Sequence, residues 1–238
     1  MVGIGEALNI LITGHLSSLS ECLARKFSKE GHKVVLAGPA PNVLTDKIRR
    51  VTFHTISVND VLFKKTLSRY RFNVVIFIGT REECLDESIE MASGEMLDGL
   101  TNALDLVKDE KIEHFFFTSY TEIYGNSPEI EESLDVNPVS VNGFALASAE
   151  KICSYYHDEY NLGVTICRIP HVFGVNVGSG LLKKLIKQFQ HQSKVFLPCD
   201  NDTKISFLHC LDVADFLILA MVEQVEKTLK FFDLSSAD

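Results

Sequence analysis

Short apolar runs alternate with amphipathic segments along nearly the whole chain. The runs at Asn9 to Thr13, Lys33 to Ala37, Val51 to Thr55, Val74 to Ile78, His114 to Thr118 and Val164 to Arg168 are close to continuous rather than alternating. That is the pattern of strands buried on both faces. Between them apolar residues recur at helical spacing: Leu19, Leu23 and Phe27; Leu97, Leu100, Leu104 and Val107; Ala149, Ile152, Cys153 and Tyr156. A further apolar helix is expected over Val213 to Val222. Strands that alternate with helices predict an α/β fold, a parallel sheet with crossover helices. No internal repeat or low-complexity tract interrupts the pattern. The longest loop-like stretch, Gly125 to Val141, holds Pro128, Pro138 and several acids and reads as a surface excursion over one end of the sheet. Ligands of open α/β sheets bind outside the carboxyl ends of the strands, so the residues that follow each run are where chemistry is sought.

Composition narrows the classes. The chain has 238 residues, 46% of them hydrophobic and 23% charged, enough to bury a sizeable core. Its 32 Asp+Glu outnumber 23 Lys+Arg, a net charge of −9, which argues against a nucleic-acid partner because phosphate binding needs a basic face. The longest apolar runs, Val74 to Gly79 and Phe216 to Val222, fall far short of the roughly 20 residues that span a bilayer. The opening MVGIGEALNILITG lacks the basic region of a signal peptide. A cytoplasmic protein without membrane insertion is therefore expected. Cys22, Cys84, Cys153, Cys167, Cys199 and Cys210 form no CxxC pair, so no metal or redox motif is signalled, and buried thiols in a reducing compartment are expected.

The turn after the first run carries the first candidate chemistry. A dinucleotide site needs glycines there, because side chains would block the pyrophosphate or the helix-to-strand contact. The chain reads Thr13-Gly14-His15-Leu16-Ser17-Ser18-Leu19-Ser20, with only the first glycine in place. Ser18 and Glu21 have the spacing of a capping box, in which a serine satisfies a free helix N–H and a glutamate reaches back. The alternative is a weakened anion site in which Gly14, His15, Leu16 and Ser17 form the cofactor-binding turn. There the helix N-terminus attracts a phosphate, the hydroxyls of Ser17 and Ser20 contact it, and Glu21 opposes it. The second run ends at Gly38, where an acid would hold a ribose hydroxyl. Gly3-Ile4-Gly5 precedes a strand rather than following one and is set aside.

Several segments, taken in order, resemble the NAD-dependent epimerase/dehydratase family, the extended short-chain dehydrogenases that act mainly on nucleotide sugars. They are ILITG at Ile10 to Gly14, FNVVIFIGT at Phe72 to Thr80, FFFTSYTEIYG at Phe115 to Gly125, CRIPHVFG at Cys167 to Gly174 and FLHCLDVA at Phe207 to Ala214. The resemblance covers essentially the whole chain. It implies a doubly wound, Rossmann-like parallel sheet spanning 1–238 as one domain, with about 171–208 and 229–238 contributing to a partial substrate lobe. Since FFDLSS at Phe231 to Ser236 is similar to a strand that further elements follow in family members, that lobe is expected to be incomplete and the chain to be a piece of a longer protein.

The same resemblance implies a catalytic tyrosine, a lysine four residues later and a glutamate four after that. With Glu150 as the glutamate, Asn142 stands at the tyrosine position and Leu146 at the lysine position. Asparagine does not titrate, and leucine brings neither charge nor hydrogen bond. The family's serine or threonine is replaced by Tyr120, its substrate-gripping arginine by Ile205 beside Lys204, and the asparagine of its Arg-x-x-Asn signature by His171. Tyr124, Arg168, His209 and Asp212 match, and Asp212 is expected to cap or charge the start of the last helix. The resemblance thus implies a degenerate member with no cofactor, acting as a binding or structural module. Family habit further implies self-association through helices near Ile89 to Lys108 and Asn142 to Tyr160, as a homodimer or against other domains of a longer chain. The alternatives are an NAD- or NADP-dependent nucleotide-sugar enzyme that moves protons through Tyr120, Tyr124 or His171, and a nucleotide or sugar sensor.

Overall fold

The expected strands form in a computed structural model that describes residues 7–39, 48–79, 89–125, 134–174, 181–191, 205–223 and 228–234. They are β1 (Asn9–Gly14), β2 (Lys33–Gly38), β3 (Val51–Thr55), β4 (Val74–Ile78), β5 (His114–Tyr120) and β6 (Gly163–Ile169). Three further strands are β7 (His171–Phe173), β8 (Phe207–His209) and β9 (Leu229–Asp233). Helices α1 (Ser18–Lys29), α3 (Ile89–Glu110), α4 (Val141–Tyr160) and α6 (Cys210–Glu223) match the expected patterns, joined by the short α2 (Phe63–Leu67) and by α5 (Leu181–His191).

Seven strands form one sheet in the order β3-β2-β1-β4-β5-β6-β9, and every neighbouring pair is parallel. Strand order reverses between β1 and β4, where Gly14 pairs with Ile78. Such a reversal opens a crevice at the carboxyl ends, the place where this architecture binds ligands. Leu229–Asp233, expected to contribute to the partial substrate lobe, forms the edge strand beside β6; its residues are half-buried or exposed and include Lys230, so it shows no continuous apolar run. His171–Phe173 and Phe207–His209, distant in sequence, pair as a separate two-stranded parallel sheet.

Two apolar layers cover the sheet. One gathers Leu11, Phe77, Phe115 and Phe117 with Leu104, Leu146 and Ala149 of α3 and α4. The other gathers Ile10, Ile12 and Phe116 with Leu23 and Phe27 of α1 and Val213 and Leu217 of α6. Successive side chains of a strand point to opposite faces, so consecutive phenylalanines of β5 serve both layers. At the foot of β5, His114 is buried, and its Nε2 lies 2.9 Å from the Thr165 hydroxyl of β6. Burial, aided by the charge of Lys230, pushes its pKa down to about 3, so the imidazole is neutral.

The first helix corrects the expected cap by one residue. Ser17, in extended backbone, is the N-cap; its hydroxyl accepts from Leu19 N–H at 3.3 Å, and Ser20 closes the capping box on Ser17 N–H at 2.9 Å. Two serines in succession offer two registers, and the pairing of Glu21 decides between them. Its carboxylate is held by Arg25 at 2.6 Å, one turn along the helix, and so does not reach back. Asp212 lies in the first turn of α6, as expected from its charge.

Among the described residues no helix is long and apolar enough to cross a membrane. Gly3, Gly5, Lys204, Cys84, Cys199 and the middle of the Gly125 to Val141 stretch lie outside the described residues.

Candidate functional site

The crevice at the strand reversal begins at Gly14. Its φ of +87° is one that L side chains rarely adopt, and a Cβ there would fall 2.6 Å from Ile78 O. Glycine is required, and the next residue, His15, donates its N–H to the same carbonyl at 2.8 Å. The tight turn of a phosphate loop is therefore kept.

The residues beyond that turn are engaged within the protein. Ser17 and Ser20 are buried, and Ser20 Oγ donates to Ser17 O at 2.6 Å while accepting from Ser17 N–H. Their hydroxyls serve the capping box, not a phosphate. Leu16 leans across the end of β2, where a Cβ added to Gly38 would lie 2.5 Å from Leu16 Cδ1. An acid at position 38, the residue type that holds a ribose hydroxyl in this architecture, would collide with that leucine. Gly14, His15, Leu16 and Ser17 thus sit together at the expected turn, closed on itself by serine hydrogen bonds and a leucine.

Farther along the carboxyl edge, β5 delivers Tyr120 and the chain after β6 delivers His171. The Tyr120 hydroxyl hydrogen-bonds His171 Nδ1, and the two rings meet edge to face with centroids 5.2 Å apart. Burial lowers the pKa of His171, against the opposing charge of Glu122. Ser119, next to Tyr120, has a buried hydroxyl without a hydrogen-bond partner among the described residues.

Asn142 stands in the first turn of α4, whose N-cap Ser140 accepts from Gly143 N–H at 3.0 Å. The Asn142 amide donates to Glu122 Oε2 at 2.6 Å, and the Ser140 hydroxyl donates to the other carboxylate oxygen. One carboxylate thus ties the helix start to the turn after β5. Leu146, one turn later, has no exposed surface and lies in the apolar layer under α3 and α4.

Behind these residues lies a buried ionic hub. Arg168 donates to both Glu150 oxygens, at 3.1 and 2.8 Å, and to the Tyr124 hydroxyl at 2.6 Å. Tyr124 in turn donates to Asp233 at 2.7 Å, and the guanidinium stacks over the rings of Tyr124 and Phe231. Burial works against the Arg168 charge, but the Glu150 carboxylate outweighs it and raises the pKa, so the arginine is permanently charged. Burial and the Asp233 carboxylate raise the Tyr124 pKa, so Tyr124 is a hydrogen-bonding strut rather than an acid or base at neutral pH. The hub joins α4, β6, β9 and the turn after β5.

A family model described as NAD dependent epimerase/dehydratase family matches residues 10–230. The chain belongs to that family. It is 24% identical over 255 residues to a UDP-glucose 4-epimerase of Corynebacterium glutamicum, covering 97% of this chain and 76% of the relative. It is also 24% identical over 118 residues to an uncharacterized UDP-glucose epimerase, YtcB, of Bacillus subtilis; that match covers 49% of this chain and about a third, 37%, of the relative. The UDP-glucose 4-epimerase structure of Thermotoga maritima with UDP-glucose superposes with a TM-score of 0.83 at 19% identity, covering 96% of this chain and 77% of that one. At such identity the likeness is one of fold.

Within this family fold, the structure brings Tyr120 and His171 together and separates them from Tyr124, which faces the ionic hub. Among the described residues no group of three or more His, Cys, Asp or Glu could hold a metal ion. Sequence reasoning missed Glu122 as the partner of Asn142. It lies 20 residues away, and the only signal was a lone carboxylate inside the family segment Phe115 to Gly125.

Proposed function

We propose that this family member is catalytically inactive and acts as a binding or structural module. The observation that carries the reading is Leu146, sealed in the core one turn after Asn142. The resemblance puts a lysine there to hold the nicotinamide ribose and lower the pKa of a tyrosine at position 142. A leucine with no exposed surface can do neither. Asn142 is meanwhile engaged by Glu122 as part of the helix cap. Loss of the acid/base alone costs on the order of 100 to 10,000-fold in rate. Without a hydride carrier the family reaction does not occur.

The test is calorimetric titration of the purified chain with NAD+, NADH, NADP+ and NADPH, each with and without UDP-glucose, and mass spectrometry of nucleotides released on gentle denaturation. No heat of binding and no released nucleotide are expected. Saturable dinucleotide binding together with hydride transfer to a sugar nucleotide would overturn the proposal. The partners of such a module would be a second copy or other domains of a longer chain, and its expected place is the cytoplasm.

A second reading is favoured by the Tyr120–His171 hydrogen bond. An imidazole kept neutral by burial, against a phenol at the carboxyl edge of the sheet, is a proton-transfer pair. It would suit an NAD- or NADP-dependent enzyme with a rearranged site. A nicotinamide nucleotide that copurifies, with turnover lost in His171→Asn, would support that reading instead.

A further inference from the structure

The two helices that cover one face of the sheet bring a pair of thiols together from opposite ends of the chain. Cys22, in the second turn of α1, donates its S–H to Cys210 Sγ, the first residue of α6, at 2.7 Å. The pair is separated by 188 residues. Its position is fixed independently of the sulfurs. Leu19, Leu23, Ala24 and Phe27 share an apolar layer with Val213, Ala214 and Leu217, and Lys26 bonds Asp215 at 2.7 Å across the same contact. Cys210 is buried and Cys22 is partly exposed, so Cys22 is the more accessible member of the pair. Cys153 and Cys167 are free thiols too, but both are buried.

We propose that Cys22 and Cys210 form a reversible redox site that closes to a disulfide by exchange with a small-molecule disulfide. Cys22, the more accessible of the two, gives up its proton and attacks one sulfur of the small disulfide; that S–S bond breaks, and one small thiol leaves with the proton. The hydrogen bond to Cys210 and burial hold the Cys22 thiol above its ordinary pKa, so this first attack is the slow step. Cys210 then attacks the Cys22 sulfur of the mixed disulfide, the second small thiol leaves with the second proton, and a Cys22–Cys210 bond remains. The two protein thiols are oxidised by two electrons in all, and the small disulfide is reduced to two thiols. The resolving step is favoured at Cys210. In the mixed disulfide Cys22 has no proton left to donate, but backbone N–H groups at the start of α6 still act, against burial, to lower the Cys210 pKa. The closed bond would staple α1, which begins at the phosphate-type turn, to α6, which follows the β7–β8 sheet.

The experiment incubates the full chain with oxidised glutathione, quenches by alkylation, and maps peptides by mass spectrometry. The expected product is a peptide pair linked through Cys22 and Cys210, lighter by two hydrogen atoms. It should be accompanied by a rise in melting temperature of about 5–15 °C, reversed by reductant. Cys210→Ser should stop at a glutathione adduct on Cys22, and Cys22→Ser should leave Cys210 as a free thiol. A stable glutathione adduct on Cys22 of the unaltered chain, a bond between other cysteines, or full alkylation of both thiols after incubation would each overturn the proposal. Because the readouts are covalent mapping and melting, they stand whether or not the chain binds a nucleotide.

Discussion

Acidification from pH 7 to pH 5 tests the buried histidine at the foot of β5. In the folded protein the His114 pKa is pushed down to about 3, while in the unfolded chain it returns to the ordinary 6.5. Between those values the unfolded state binds a proton that the folded state refuses, so stability rises with pH. The contribution is fully present above pH 6.5 and is lost progressively as pH falls toward 3. Each pKa unit corresponds to about 1.4 kcal/mol, so the descent from pH 7 to pH 5 should cost about 2 kcal/mol from this residue alone. The assay is urea unfolding at half-unit pH steps for the unaltered chain and for His114→Gln. Glutamine cannot titrate and can still donate to the Thr165 hydroxyl that now lies 2.9 Å from the ring. The variant can be less stable at pH 7 without affecting the test, because the prediction concerns the slope. Other histidines titrate equally in both proteins and cancel in the difference. The two stability curves should converge by about 2 kcal/mol between pH 7 and pH 5. Parallel curves, within about 0.5 kcal/mol, would refute the assignment of a neutral, proton-refusing His114.

Three further outcomes are expected at the site. Glu150→Ala leaves the Arg168 charge buried with Asp233 3.8 Å away and should cost about 3–5 kcal/mol in urea unfolding, whereas Glu150→Leu with Arg168→Met should cost less than either single change. Gly38→Asp should destabilise the fold through collision with Leu16, and Leu16→Ala should relieve it, with a coupling of about 1 kcal/mol or more in a double-mutant cycle by the same assay. Leu146→Lys should lose several kcal/mol at pH 7 and regain part of the loss at pH 10, because burial favours the neutral amine; a pH-independent loss would show that the new side chain escapes to solvent.

The strands with continuous apolar runs are legible in the sequence because burial on both faces leaves little room for polar residues, and Val74–Ile78 is buried at every position. The three-residue strands His171–Phe173 and Phe207–His209 are not. Their pairing is decided by residues 36 positions apart, and neither run is long enough to show a period. The start of α1 differs by one residue from its pattern because Ser17 and Ser18 are equally good caps, and only the Glu21–Arg25 bond removes Glu21 from the competition. In the site, the residue types at 142 and 146 are readable, since spacing from Glu150 fixes both. The partners are not. Asn142 with Glu122, Tyr120 with His171 and Arg168 with Tyr124 and Asp233 are neighbours created by parallel topology, across separations no local pattern encodes. Cys22 and Cys210 are the extreme case.

The Leu16 side chain against Gly38 has a thermodynamic meaning of its own. A ligand seated between the first two strands of such a sheet stabilises the native state in proportion to the logarithm of its concentration, so those strand ends are held more or less firmly as the supply varies. Here a leucine from the turn itself covers the end of β2, and two serines close the helix start. The grip that these residues exert on that corner is intramolecular and does not vary with concentration. In the module proposed above, that corner would present the same surface whatever the supply of nucleotide.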